Sequence, residues 1–91
     1  MMSDNQVFFN FLKMVAPNQA KAFKKRANGR GYETYDPIKK NGHRFVFDTS
    51  RKIIFHTYFV SEFDGFEYRK KPITEEIRVI STENGFRTLR I

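Results

Sequence analysis

The chain has 91 residues, the length of one domain, so residues 1–91 are treated as a single small basic unit. Hydrophobic residues make up 40% and charged residues 30%, a globular composition, and the absence of cysteine excludes disulfide frameworks, thiolate metal sites and cysteine nucleophiles. Seventeen Lys and Arg against ten Asp and Glu leave a net charge of +7, which favours polyanionic partners such as nucleic acid.

The sequence also excludes several classes of membrane and cofactor protein. No apolar run approaches the roughly 18 residues of a membrane span, and the N-terminus lacks the basic region of a signal peptide. We therefore expect a cytoplasmic protein without a membrane partner. No phosphate-binding glycine loop, dinucleotide fingerprint or metal-ligand spacing occurs, and we expect no cofactor and no bound metal.

The first predicted element is a helix that begins near Asp4. Ser3 followed by Gln6 has the pattern of a capping box, and Asp4 suits the positive end of the helix dipole. Apolar residues then recur at helical spacing and form one stripe. These residues are Val7, Phe8, Phe11, Leu12 and Val15. Pro17 ends the helix, because proline lacks a backbone N–H and restricts the residue before it.

A second helix is predicted from Gln19 to about Ala27, with Asn18 as its N-cap. Asn28 and Gly29 form a C-terminal stop, since both residue types adopt the left-handed conformation that ends helices. Residues 1–29 are therefore expected to be helical, either as a short hairpin or as one kinked helix.

From residue 30 onward, turn dipeptides separate segments with strand-like alternation. Asn-Gly and Asp-Gly pairs, which tight hairpins prefer, provide most of the divisions. The predicted strands are Tyr32–Lys40, His43–Asp48, Lys52–Glu62, Phe66–Lys71, Glu76–Thr82 and Phe86–Ile91. Lys52–Glu62 is apolar on both faces, which indicates a central strand covered on both sides. Glu75–Ile80 has an alternative interpretation as a short helix capped by Thr74, although a strand is favoured.

Residues 30–91 are thus rich in β-hairpins and follow a helical start. This order of elements predicts an α+β fold, with one or two short N-terminal helices packed on an antiparallel sheet of about four to six strands.

Positive charge is concentrated in the N-terminal half. The whole net excess lies within residues 1–52, and residues 53–91 carry equal numbers of basic and acidic side chains. Lys21, Lys24 and Lys25 are expected to share one face of the second helix. Such a cluster suits a phosphate backbone, because neutralised phosphates release counterions. The predicted nucleic-acid-binding residues are Lys21, Lys24, Lys25, Arg26, Arg30, Tyr32, Lys39, Lys40, Arg44, Arg51 and Lys52.

The segment Gly29-Arg30-Gly31-Tyr32 supports this interpretation. Its glycines allow the backbone to approach a ligand, and Arg30 and Tyr32 offer stacking or phosphate contacts. RNA or single-stranded DNA is favoured over a duplex, because aromatic side chains stack on exposed bases. The leading hypothesis is therefore a non-enzymatic nucleic-acid-binding module. The competing interpretation is a solvated helix face followed by a simple helix stop.

An enzymatic alternative is a metal-independent ribonuclease in which His43 and His56 act as acid and base. His56 falls on an apolar strand face, where a core histidine is the commoner interpretation, so both residues are kept only as catalytic candidates. Glu62, Asp64 and Glu67 surround one turn and offer oxygen ligands to a cation, although a polar hairpin tip explains them more simply.

The second hypothesis, ranked above the ribonuclease, is a small inhibitor or adaptor, of phage or mobile-element type, that docks on a partner protein. The C-terminal half has balanced charge and carries aromatic residues near its hairpin tips, where they suit the role of contact anchors. These residues are Phe63, Phe66, Tyr68 and Phe86. The oligomeric state is left open by the sequence.

Overall fold

Two short helices precede six strands in the computed structural model, which describes residues 2–35 and 42–91. The helices are α1 (Asp4–Val15) and α2 (Pro17–Ala20). The strands are β1 (Phe23–Lys25), β2 (Gly31–Thr34), β3 (His43–Asp48), β4 (Ile53–Phe63), β5 (Tyr68–Thr82) and β6 (Gly85–Arg90). They form one antiparallel sheet in sequence order, which confirms the predicted α+β fold with short N-terminal helices on a sheet.

Helix α1 forms as the sequence predicts. The backbone N–H of Gln6 donates to Oγ of Ser3 at 3.2 Å, and the backbone N–H of Ser3 donates to the Gln6 side chain at the same distance. This capping box satisfies two N–H groups that have no partner within the helix. Four residues of the predicted apolar stripe are buried, and Val15 is exposed at the end of the helix.

The core lies between α1 and one face of the sheet. Phe8, Leu12, Phe47 and Ile54 are its largest fully buried side chains. The ring of Phe8 lies 5.0 Å from that of Phe23 and 6.0 Å from that of Phe47, measured between centroids. Each fully buried side chain of this size contributes roughly 1.5–3 kcal/mol, so this core is a major source of stability in a chain that has no disulfide.

The second helix is shorter than predicted. α2 has only four residues, and β1 occupies Phe23–Lys25, inside the predicted helical segment. Strand pairing with β2 overrides local helix propensity here, because it brings Phe23 into contact with the core. Lys24 and Lys25 are consecutive strand residues and lie on opposite faces of the sheet, so the predicted common face with Lys21 is wrong. No helix among the described residues is long and apolar enough to cross a membrane.

Two strand boundaries also differ from the prediction. β2 ends at Thr34, and most of the remainder of Tyr32–Lys40 lies outside the described residues. Phe66–Lys71 and Glu76–Thr82 join in the single strand β5, so the alternative helix at Glu75–Ile80 does not form. The strand His43–Asp48 has the predicted bounds.

The β4–β5 hairpin extends far beyond the rest of the sheet. β3 pairs with β4 only as far as Tyr58, and β6 pairs with β5 only from Ile77. Residues 59–72 therefore form a two-stranded ribbon, here called the arm, and the molecule is 52 Å long. Pro72 pairs with Phe59 in this ribbon, where its missing N–H is tolerated because β5 has no second neighbouring strand.

The two faces of the sheet are covered unequally. Both described helices contribute their buried residues to the core on one face, which we call the helix side. Ile53, Phe55 and Phe59 point to the other face, which we call the open face, and remain half-buried. Among the described elements none packs on the open face, so the expectation that Lys52–Glu62 is covered on both sides is wrong for this part of the chain.

Candidate functional site

The connectivity of the sheet places three turns at one end. Because successive strands are antiparallel neighbours, the β1–β2, β3–β4 and β5–β6 connections lie together. We call this end, formed by residues 26–30, 49–52 and 83–84, the turn end. The arm leaves the sheet from the opposite end.

Several of the predicted nucleic-acid-binding residues lie at the turn end. They are Lys25, Arg26, Arg30, Arg51 and Lys52. Nε of Arg51 donates to Asp48 at 2.9 Å, and Nζ of Lys52 donates to Asp4 at 2.8 Å. The Arg51 side-chain hydrogen bond, with two backbone N–H groups, holds the pKa of Asp48 below its usual value although burial opposes it. The other three basic residues form no ion pair with any described residue.

Three further residues of the predicted patch lie elsewhere on the molecule. Lys24 and Arg44 are on the open face, where both pair with Glu33, at 3.6 Å and 3.0 Å. Lys21 follows α2 at the end of the sheet from which the arm leaves. The structure therefore separates residues that the sequence grouped on one helix face.

The remaining residues of the predicted patch are Tyr32, Lys39 and Lys40. The ring of Tyr32 lies 5.8 Å from that of Phe23 and 6.4 Å from that of Phe8, so it belongs to the edge of the core. Lys39 and Lys40 lie outside the described residues.

The second glycine of the Gly-Arg-Gly segment has a structural explanation. Gly31 has a φ of 129°, and a Cβ at this position would overlap the backbone carbonyl of Phe47. Close strand packing therefore requires glycine at this position without any ligand. A cleft of about 280 Å³ nevertheless opens beside the segment, bordered by Lys25, Tyr32 and Thr49.

Sequence reasoning missed two arginines beside the turn end. Arg78 and Arg87 lie on the open face of β5 and β6, and neither forms an ion pair with a described residue. The guanidinium of Arg51 lies 5.3 Å from the centroid of the Phe55 ring on the same face. Sequence reasoning passed over these arginines because residues 53–91 carry no net charge. The apolar residues on either side of Arg78 could have indicated that its side chain lies on the opposite face of the strand.

The two candidate catalytic histidines meet on the helix side, toward the arm. His43 and His56 are diagonal neighbours on β3 and β4, and Nδ1 of His43 lies 2.7 Å from Nε2 of His56. One imidazole therefore donates to the other. His56 also stacks on Phe45, with 4.4 Å between ring centroids. Cross-strand register creates this pair, and local sequence carries no signal for it.

Three polar residues surround His56, and sequence reasoning missed all of them. Oε2 of Glu75 lies 3.7 Å from Nδ1 of His56, and the Tyr58 hydroxyl donates to Oε1 of Glu75 at 3.1 Å. The Arg90 guanidinium lies 3.9 Å from Glu75. These five residues, His43, His56, Tyr58, Glu75 and Arg90, are called the histidine cluster.

Partial burial and neighbouring charges determine the protonation of His56. Desolvation lowers the pKa of His56, the positive charges of His43 and Arg90 act in the same direction, and Glu75 opposes them. The hydrogen bond to Glu75 raises the pKa of Tyr58. His56 is therefore neutral at pH 7, when its Nε2 can accept a hydrogen bond from the Nδ1–H group of His43.

A cleft of about 370 Å³ opens beside the histidine cluster. Phe11, Val15 and Ile77 form its apolar walls, and His56 and Arg90 form its polar end. Apolar walls with a few converging polar groups are typical of small-molecule and nucleotide pockets.

The arm exposes its aromatic residues. Phe63, Phe66 and Tyr68 are 58%, 94% and 75% exposed, whereas Phe86, the fourth predicted contact anchor, packs against the core. Single exposed apolar residues are ordinary on protein surfaces, but three near one hairpin tip form a patch.

The carboxylates near the arm tip serve the turn. Asp64 accepts hydrogen bonds from the backbone N–H groups of Phe66 and Glu67, and it pairs with Arg69 at 2.6 Å. These interactions, the backbone hydrogen bonds first, lower the pKa of Asp64. Within the described ranges, no group of three or more His, Asp or Glu side chains is arranged to hold a metal ion.

Two regions therefore stand out as candidate sites: the basic turn end with its adjoining open face, and the histidine cluster with its cleft. Both are defined by the geometry of this chain. Comparison with known proteins finds no matching family model, no similar curated protein and no similar solved structure.

Proposed function

We propose that this protein binds single-stranded nucleic acid, with RNA favoured, through the turn end and the adjoining part of the open face. The observation that carries the proposal is a group of basic side chains at this end that have no acidic partner among the described residues. They are Lys25, Arg26, Arg30, Arg78 and Arg87.

Unpaired cations bind phosphate more readily than paired ones. A lysine or arginine in an ion pair must give up its partner before it contacts a ligand, whereas an unpaired one loses only water and small counterions. Each phosphate that such a side chain neutralises releases a condensed counterion, and the affinity then falls steeply with salt. Clustering at one end also raises the local potential above the average set by the net charge of +7.

The open face supports a single strand over a duplex. Phe55 and Phe59 lie on this face with their rings half-buried, and Arg51 lies over Phe55. Bases stack on such rings with roughly 1–3 kcal/mol each. A duplex keeps its base faces inside the helix, so stacking of this kind is available only to unpaired nucleotides.

The test is a fluorescence-anisotropy titration of short single-stranded RNA, single-stranded DNA and duplex DNA at several salt concentrations. We expect RNA to bind most tightly. The slope of log affinity against log salt is expected to be about −3 to −4, since each phosphate contact with a single strand contributes about −0.7. An affinity that does not respond to salt contradicts the proposal.

A charge-reversal pair makes the test specific to the turn end. Arg30→Glu with Arg87→Glu is expected to weaken RNA binding at least tenfold without altering the thermal unfolding midpoint. The matched control is the double variant Lys13→Glu with Lys71→Glu. It changes the net charge by the same amount, but its substitutions lie on α1 and on the arm. Equal losses in the two double variants would falsify the interface, because they would indicate attraction by net charge alone.

The arm favours a second candidate function, docking on a partner protein. Phe66 is 94% exposed, and Arg69 and Lys71 pair with acidic residues of the same ribbon, so this surface is aromatic and largely neutral. A photo-cross-linking residue at position 66, introduced in cells that naturally make the protein, is expected to capture one partner. The same residue at position 13 is the control, and equal labelling at both positions contradicts docking through the arm.

A further inference from the structure

The histidine cluster has the connectivity of an acid–base relay. Nδ1 of His43 and Nε2 of His56 face each other at 2.7 Å, so these two atoms satisfy one another. Glu75 faces the remaining nitrogen of His56 at 3.7 Å and is held by the Tyr58 hydroxyl. Nε2 of His43 forms no hydrogen bond with any described residue, and the His43 side chain is exposed.

This arrangement fits a general base. When Nε2 of His43 takes up a proton, the positive charge is stabilised through the hydrogen bond to neutral His56, and the Glu75 carboxylate stabilises it further. A base oriented by a second group, which is itself oriented by a carboxylate, is the arrangement that proton abstraction requires. Catalytic contacts are often long without substrate, and the 3.7 Å separation at Glu75 is of this kind.

We propose that His43 is the general base in cleavage of single-stranded RNA, with His56 and Glu75 as positioning residues; this inference rests on the proposed function. Nε2 of His43 takes the proton of a 2′-hydroxyl, and the 2′-oxygen forms a bond to the adjacent phosphorus. The bond from phosphorus to the 5′-oxygen breaks, and that oxygen takes a proton from water. The products are a 2′,3′-cyclic phosphate and a 5′-hydroxyl end, and the proton on His43 neutralises the hydroxide that remains.

The surroundings of the cluster suit this substrate class. RNA supplies its own nucleophile, so the protein has to provide only a base and positive charge near the phosphate. Arg90 lines the same cleft as His56, and its side chain, 77% exposed, has to give up its 3.9 Å contact with Glu75 when it contacts a phosphate. Phe11 and Ile77 provide apolar surface for a base. About five strand residues, roughly 17 Å, separate the cluster from the turn end, a distance that a short oligonucleotide spans.

The test incubates the full chain with labelled single-stranded RNA, with DNA that contains one ribonucleotide, and with DNA alone. We expect the first two to be cut, the second only at the ribonucleotide, with a 2′,3′-cyclic phosphate identified by mass spectrometry. His43→Ala, purified identically, is expected to lose roughly 10²–10⁴-fold in rate. Added imidazole is expected to restore part of that rate, which a purely structural defect would not allow.

The positioning residues need a separate readout. Glu75→Gln is expected to slow cleavage and to shift the pH–rate profile, because the charge that supports protonated His43 is gone. Among the residues that the structure describes, the titratable and charged groups around this pair are Tyr58, Glu75 and Arg90, and Glu75 is the acidic one. Glu67→Gln removes the same charge at the tip of the arm and is the matched control.

Binding measured on the same samples separates the two proposals. RNA that is bound but uncut, or cleavage that persists in His43→Ala, overturns the inference and leaves the proposed function in place. The double variant Arg30→Glu with Arg87→Glu gives a further outcome. If it binds and cleaves RNA as the unmodified protein does, the result supports the histidine site and overturns the turn end as the interface.

Discussion

The two ends of the sheet differ in how their charges are arranged. At the turn end, Arg30 and Arg87 have no acidic partner among the described residues. Along the arm, Arg69 pairs with Asp64 at 2.6 Å and Lys71 with Glu62 at 3.7 Å, while aromatic rings are left exposed. One end therefore presents uncompensated positive charge, and the other presents apolar surface with compensated charge.

This difference is the basis for the two contact surfaces proposed above. Uncompensated cations lose little when they meet a polyanion, whereas paired charges beside exposed rings suit a neutral surface. The net charge of +7 describes neither end, because the acidic residues that offset basic ones are unevenly distributed over the molecule. The number of basic residues is thus a weaker guide to binding than which of them are paired.

The largest expected effect is a loss of stability when alanine replaces a glycine at either end of the molecule. Gly31→Ala is expected to destabilise the protein by about 2–5 kcal/mol, because its Cβ overlaps the Phe47 carbonyl and its φ is positive. Gly65→Ala at the arm tip has a positive φ but open space around it, and about 1–2 kcal/mol is expected. Urea unfolding measures both, and equal losses contradict the distinction between packed and open glycines.

A smaller effect is expected in the salt dependence of RNA binding. Lys25→Ala removes an unpaired cation at the turn end and is expected to reduce the slope of log affinity against log salt by about 0.7. Lys71→Ala removes a paired cation from the arm and is expected to leave the slope unchanged. Titrations at matched salt concentrations give both slopes, and a similar change in both variants removes the difference between the ends.

The histidine cluster makes stability depend on pH. Because the pKa of His56 is lowered in the folded chain, the unfolded chain binds this proton at higher pH. The stability that this difference contributes is fully present above pH 6.5, the usual pKa of histidine. It is lost as the pH falls from 6.5 toward the lower pKa of His56 in the folded chain. The urea concentration at the unfolding midpoint is therefore expected to decrease as the pH is lowered from about 7.5 to about 5.5. His56→Gln should flatten this dependence, and an unchanged slope would count against a neutral buried His56.

The smallest expected effect is at the tip of the arm. Phe66 is 94% exposed, so Phe66→Ala is expected to change the free energy of unfolding by less than about 0.5 kcal/mol. Phe8→Ala in the core is the comparison and is expected to cost about 3–5 kcal/mol. A large loss from Phe66→Ala in thermal unfolding would show that the tip packs on the molecule rather than standing free.

Local patterns predicted the elements whose signals lie within a few residues. The capping box of Ser3 and Gln6 marked the start of α1, and alternation gave the bounds of His43–Asp48. The segment around Phe23 was predicted wrongly, because its strand conformation depends on pairing with β2 and on contact with Phe8.

The candidate sites were predicted less completely than the fold. Lys25 and Arg30 were identified from charge alone, but the ion pairs that neutralise Arg51 depend on the folded backbone. The contact between His43 and His56 depends on strand register, which no single segment specifies. Their proximity was therefore outside the reach of local sequence reasoning.

The sequential order of the strands also bears on how the chain folds. Each strand pairs only with its neighbour along the chain, so every hairpin can close over a short loop before the others form. The contact of Phe8 with Phe47 joins residues far apart in sequence and closes a much longer loop than any hairpin does. We therefore expect strand pairing to be early and rapid, and the docking of α1 to be the step that sets the folding rate.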